Sequence, residues 1–169
     1  MKSYNFVGYG SLISHGSLKG TIKDKEFVPV VVKGYQRVFN VLARNNTDFL
    51  NIEKKKESRF NGVLFKVNKD ELKKIKEREQ PEYKFTRSWA YDFKDGRKIA
   101  LASLVVDHRI SIDKTKKMPN RLYFLSCRKA AYSISKRFGK MWDGTTYTSS
   151  GEKISEWVKK NKSYDRLKN

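Results

Sequence analysis

The sequence predicts an α+β protein, a small curled sheet or barrel with helices around it. Three observations lead there. Runs of β-branched and aromatic residues dominate residues 3–67 and return at 83–106. A single helical period interrupts them at 68–79. The remaining helical patterns gather after residue 120. At 169 residues the chain has the size of one domain, 1–169, and ten Phe with three Trp can fill its core.

Each element has its own signal. "SYNFVGY", residues 3–9, reads as a strand that ends in a glycine turn, and "ISHGSLKGTI" continues as a loop or short helix. Residues 27–43 are β-rich, with Pro29 and Gly34 breaking them into strands or a bulge. "FLNIEKKKESRFNGVLFKV" reads as two strands, 49–53 and 59–67, around a charged turn. The helix over 68–79 has Asn68 as its cap and acids in its first turn. Leu72, Ile75 and Glu79 share a face, and Pro81 stops the helix. "YKFTRSWAYDF" alternates as a strand, Asp95-Gly96 signals a hairpin, and "RKIALASLVV" returns. Residues 120–139 carry helical periodicity ending at Gly139, and Ser149 or Ser150 caps a short last helix.

Composition excludes several classes. No apolar run is long enough to span a membrane, and no secretory leader is expected at the N-terminus. One cysteine, Cys127, cannot pair internally, so a reducing, cytoplasmic location fits. One Cys and two His also argue against a Cys- or His-built metal site. With 38 Lys and Arg against 18 Asp and Glu, the net charge is +20. Such a field attracts small anions and admits nucleic acid as a partner. Lys outnumbers Arg and is spread along the chain, which weakens the nucleic-acid reading, since base readout and phosphate clamps favour Arg.

Two stretches carry chemistry. "GYGSL" leaves the amides of Gly10, Ser11 and Leu12 beyond the ladder of the first strand. Gly10 can adopt φ > 0, which lets them converge as a nest for a carboxylate or oxyanion; the plain alternative is that Gly8 and Gly10 only shape a turn. Glu79 stands at a helix C-terminus on the apolar side. The macrodipole and burial there both raise a carboxyl pKa, which suits a general acid or base. A structural pair with Arg78 is the plain alternative, and Glu77 and Glu82 read as surface charges. Tyr9 contacts substrate or is a core tyrosine. Tyr147 is a minor candidate for closing the pocket. His15 and His108 read as surface or turn residues, Arg37 as barrel exterior, and Cys127, Trp142 and Trp157 as packing residues.

"YGSL" after the first strand, "GYQRVF" beyond a β-run, "NGVLFKV" leading into a helix and "REQPEY" at its end together resemble the γ-glutamylcyclotransferase-like superfamily. The Arg-Glu-x-x-x-Tyr spacing is similar to the glutathione-specific branch, the short length to small bacterial members. The resemblance implies a small mixed β-barrel with flanking helices. It implies a catalytic acid/base at Glu79, a substrate loop at Tyr9, Gly10, Ser11 and Leu12, and Tyr83 lining the site. It also implies a cofactor-free, metal-free enzyme that cyclises a γ-glutamyl amine or peptide to 5-oxoproline and a free amine. Pro81 inside the Glu-to-Tyr spacer and the basic "KFTRSW" depart from the pattern and leave the leaving amine open. The expected partner is a small anionic γ-glutamyl substrate. The alternative is a non-catalytic basic module binding RNA or another polyanion.

Overall fold

The described residues build six strands: β1 (Tyr4–Gly8), β2 (Val28–Leu42), β3 (Asp48–Val67), β4 (Tyr83–Asp92), β5 (Lys98–Asp107) and β6 (Thr146–Thr148). Among the same residues the α-helices are α1 (Lys69–Glu79), α2 (Arg121–Ile134), α3 (Lys136–Gly144) and α4 (Ile154–Lys160). The computed structural model describes residues 2–14, 25–43, 45–79, 83–107 and 116–167, and for Tyr83 only the backbone. The sheet order is β3-β1-β5-β4-β2-β6, and β2 also pairs with β3. Five strands therefore close on themselves, with β6 added beside the second half of β2. β1 runs parallel to β5 and β6 parallel to β2, while the other pairs are antiparallel. This is the mixed α+β architecture expected from the order of elements.

The charged stretch expected to be a turn lies within one continuous strand, β3. The ladder nevertheless breaks there. Lys33 faces Arg59 and Tyr35 faces Lys54, so residues 55–58 oppose Gly34 alone. Gly34 takes φ +82°, a bend that glycine makes at no steric cost. Below the bend β2 and β3 belong to the closed sheet; above it they form an arm with β6.

α1 begins with a reciprocal cap: Asn68 Oδ1 accepts from the Glu71 N–H and Glu71 Oε2 accepts from the Asn68 N–H, both at 2.9 Å. Ile75 is fully buried and Leu72 packs against the core, so the apolar face of α1 is pinned to the sheet. Pro81, expected to end this helix, lies outside the described residues, as do Glu82, His15 and His108. The β4–β5 hairpin turns at Gly96, φ +74°.

The helical run expected over 120–139 is two helices. α2 is capped by Asn120, whose Oδ1 accepts from Tyr123 N–H at 3.0 Å. Ser135 is extended at φ −171° and caps α3 by accepting from Phe138 N–H at 3.0 Å. Gly139 sits inside α3 rather than ending a helix, because a Cβ there would lie 2.4 Å from the Tyr132 ring. A buried ion pair, Arg128 Nη2 to Asp143 Oδ2 at 2.9 Å, ties α2 to α3. α4 is capped by Lys153, not by Ser149 or Ser150; Ser150 Oγ instead bonds Thr148 Oγ1 at 2.8 Å. Trp142, Phe124, Phe39 and Trp157 form the aromatic heart beneath these helices. Cys127 is buried with them, its thiol pushed up to about 12 by burial. Among the described residues, no helix is long and apolar enough to cross a membrane, and no three His, Cys, Asp or Glu side chains are grouped to hold a metal.

Candidate active site

β1 stops at Gly8, opposite Val63 of β3, and the chain at once enters a 3-10 turn at Ser11–Ile13. The first bonds of the turn run from Ile13 N–H to the Gly10 carbonyl and from Ser14 N–H to the Ser11 carbonyl, both 3.1 Å. As at any helical start, the N–H groups of Gly10, Ser11 and Leu12 find no partner within the turn. Gly10 does not take the positive φ expected of it; its φ is −115°. Glycine is needed there for space. A Cβ at Gly10 would lie 2.7 Å from the Tyr123 hydroxyl, and one at Gly8 would lie 2.6 Å from the Leu12 carbonyl oxygen.

Glu79, the last residue of α1, lines the same hollow as Tyr9, Gly10, Ser11 and Leu12. Leu50 of β3, Val105 of β5 and Tyr123 of α2 complete its wall. The hollow is small, about 30 Å³. It has room for a water or a carboxylate, not for a whole peptide. Only 19% of the Glu79 side chain is exposed. Burial raises its carboxyl above the ordinary value, and the Arg78 guanidinium opposes this more weakly. The C-terminal end of α1 acts in the same direction as burial. Arg78 Nε lies 3.6 Å from Glu79 Oε1, beyond hydrogen-bond length, and Arg78 Nη2 reaches Ser11 Oγ at 3.4 Å. Glu79 thus has both a cationic neighbour and a cavity beside it.

The other expected residues divide. Tyr9 lines the hollow, but its hydroxyl donates to the Val105 carbonyl at 2.6 Å and its ring packs edge-on to Phe60. The side chain of Tyr83 lies outside the described residues. Tyr147 lies away from the hollow, with Lys55 5.8 Å from its ring centroid. Tyr123 has no counterpart among the residues singled out in the sequence. It reaches the site from the first turn of a helix remote in the chain, and its ring is braced on Phe49 with centroids 4.5 Å apart.

Arg37 corrects the sequence reading most sharply. It is fully buried rather than on the barrel exterior, and its Nη1 donates to the carbonyl oxygens of Asn61 at 2.6 Å and of Tyr9 at 3.4 Å. The Tyr9 carbonyl is thereby turned inward. In a planar trans peptide the Gly10 N–H then points the opposite way. Gly10→Ala is expected to push Tyr123 or the turn aside, since the ring cannot swing past Phe49. The cost should be about 1–3 kcal/mol of stability, with weaker retention of small carboxylates. Urea unfolding and a carboxylate-dependent melting shift measure the two effects; an alanine variant unchanged in both would show that the close approach does not matter.

No protein-family model matches the sequence, and no curated protein matches it. Solved structures do resemble the fold. A γ-glutamyl cyclotransferase superposes with TM-score 0.72 at 14% identity, over 94% of this chain and 99% of that one. An uncharacterized human protein gives TM-score 0.72 at 14% identity, over 95% and 98%. A yeast γ-glutamyl cyclotransferase specific to glutathione gives TM-score 0.56 at 12% identity, over 100% and 90%. At such identities the likeness is one of fold: the chain has the γ-glutamylcyclotransferase-like fold.

Proposed function

We propose that this chain is a cofactor-free γ-glutamylcyclotransferase, converting a γ-glutamyl amine or peptide into 5-oxoproline and a free amine. One observation carries the reading. A largely buried carboxyl with a raised pKa, Glu79, shares a small hollow with Gly10, Ser11 and Leu12, whose amides make no bond within their own turn. The reaction needs little else. The attacking nucleophile is the substrate's own α-amine, already tethered to the γ-carbonyl it attacks. At a pKa near ~8 that amine is mostly protonated at neutral pH, so a base must take a proton. Glu79 removes it. The new N–C bond closes the five-membered ring, and the oxyanion meets donors worth ~3–4 kcal/mol each. Glu79 returns the proton to the leaving nitrogen as the old C–N bond breaks. A carboxyl whose pKa lies above its ordinary value serves both transfers.

The size of the hollow supports one way for the substrate to sit. The turn amides take its carboxylate or carbonyl end, and the leaving amine projects past Arg78 toward solvent, so the contact of Arg78 with Ser11 must open. A screen of γ-glutamyl amino acids, γ-glutamyl amines and glutathione for 5-oxoproline release tests the reading. Turnover of at least one class is expected, and failure of all of them would overturn it.

A further inference from the structure

A second surface, remote from the hollow, combines one exposed and one partly buried aromatic ring with cations. On the outer face of the sheet Trp89 is 44% exposed, while its neighbour Ala90 is fully buried on the inner face. Lys98 Nζ of β5 lies 4.5 Å from the Trp89 ring centroid, and Lys33 Nζ of β2 lies 4.3 Å from that of Tyr91. Arg59 of β3 pairs with Lys33 in register, and Arg87 is exposed two residues before Trp89 on the same strand face. Because β3, β2, β4 and β5 are consecutive neighbours, these groups form one band across the sheet. The nearby acids, among them exposed Glu57 two residues before Arg59, are outnumbered by the four cations Lys33, Arg59, Arg87 and Lys98. Asp92 accepts the Lys94 and Asp95 amides within the turn, and Asp95 is paired with Arg97 at 2.7 Å. Val105, which lines the hollow, lies at the other end of β5 from Lys98.

We infer that this band is a docking surface for single-stranded nucleic acid, with bases stacking on Trp89 and Tyr91 and phosphates meeting Lys33, Arg59, Arg87 and Lys98. Charge complementarity selects the occupant: the chain carries +20, and a polyanion is what such a face attracts. The exposed Trp89 ring, with Tyr91 partly open beside it, selects single strands, because a duplex hides its base faces within the stack. An exposed lysine–ring contact is weaker than a stacked base, so the lysines can leave the rings for phosphates as bases arrive. The surface stands independently of the catalytic reading.

Tryptophan emission tests it. Trp142 is fully buried and Trp157 only 6% exposed, which leaves Trp89 as the indole that a stacking base can quench. Oligo(U) should quench the emission saturably, with log Kobs falling against log salt at a slope of about −3 for four phosphate contacts. Trp89→Ala should remove the quench and weaken binding roughly 10-fold. Lys33→Glu with Lys98→Glu should weaken binding and flatten the salt slope. Lys136→Glu with Lys140→Glu, the same charge change on exposed positions of α3, should do neither. The proposal is overturned by no saturable quench at low salt, by equal loss in the two double variants, by tighter binding of a duplex, or by equal competition from heparin or anionic vesicles.

Discussion

Glu79→Gln is expected to cut 5-oxoproline release by at least ~100-fold while leaving the fold intact, the scale of a lost general acid/base. Gln fills the same space at the end of α1 but neither takes nor returns a proton. Two effects compete at the wild-type carboxyl. Burial raises its pKa and Arg78 lowers it, and burial is the larger. The separation of 3.6 Å and the partial exposure of Arg78 explain why: a half-solvated pair is too weak to offset desolvation. The same balance gives the sign for stability. A carboxyl whose folded pKa lies above its ordinary 4.5 is most favourable to folding below that pH, and this advantage is lost as pH rises through the folded value. Glu79→Gln should therefore be at least as stable as wild type at neutral pH, and the difference should shrink below pH 4.5. Full activity in the purified variant would remove Glu79 from the mechanism. Lost activity together with lost stability at neutral pH would make it a structural residue instead.

The parts of the fold that were legible in the sequence are those fixed by local physics. Asn68 and Glu71 announce a cap in four residues, Asp95-Gly96 announces a hairpin, and the strand runs announce a sheet. The glycine turn and Glu79 stood out in the sequence because each is unusual where it stands: amides beyond a strand end, a carboxylate at a helix C-terminus. The structure brings both to one hollow. The sequence failed where a distant element overrides a local signal. "EKKKES" looks like a turn because neither strand face is buried there, yet β2 holds it in β3 on both sides of the bend at Gly34. Gly139 looks like a helix end, but it is the space that the Tyr132 ring occupies. Tyr123 meets Gly10 only because α2 crosses the end of β1. Arg37 looks solvent-facing because a charge normally is, and nothing near it in the sequence reveals the ring of acceptors that encloses it.

Removing the Arg37 guanidinium is expected to cost about 3–5 kcal/mol of stability, because the acceptors it serves are buried and fixed. Nε donates to Thr146 Oγ1 at 2.7 Å, and Nη2 donates to Asn61 Oδ1, the Trp142 carbonyl and Thr145 Oγ1 at 3.0, 3.2 and 3.3 Å. With the Nη1 bonds, one fork joins β2 to the turn after β1, to β3, to β6 and to the end of α3. Trp142 stacks over it with 4.9 Å to the ring centroid. None of these partners is a carboxylate. Asp143, a nearby negative charge, is committed to Arg128. Desolvation accordingly pushes Arg37 down to about 9, still cationic at neutral pH. Two terms oppose each other on substitution. Deleting a buried charge relieves desolvation, which is why apolar replacements of buried ions are sometimes neutral. Here the replacement also strands rigid acceptors, each left bare at roughly 1–3 kcal/mol, and several such losses outweigh the relief. Arg37→Met, which keeps the aliphatic stem and removes the charged fork, reads the net of the two terms. It should unfold at clearly lower urea than wild type with an unchanged m-value. Arg37→Lys should be no better, since one compact ammonium cannot span acceptors on β3, β6, the end of α3 and the turn after β1. The Tyr9 carbonyl is among them, so whatever fold survives should also bind small carboxylates at the Gly10–Leu12 amides more weakly. A methionine variant as stable as wild type would mean that the guanidinium is not what holds the arm, the turn and α3 together.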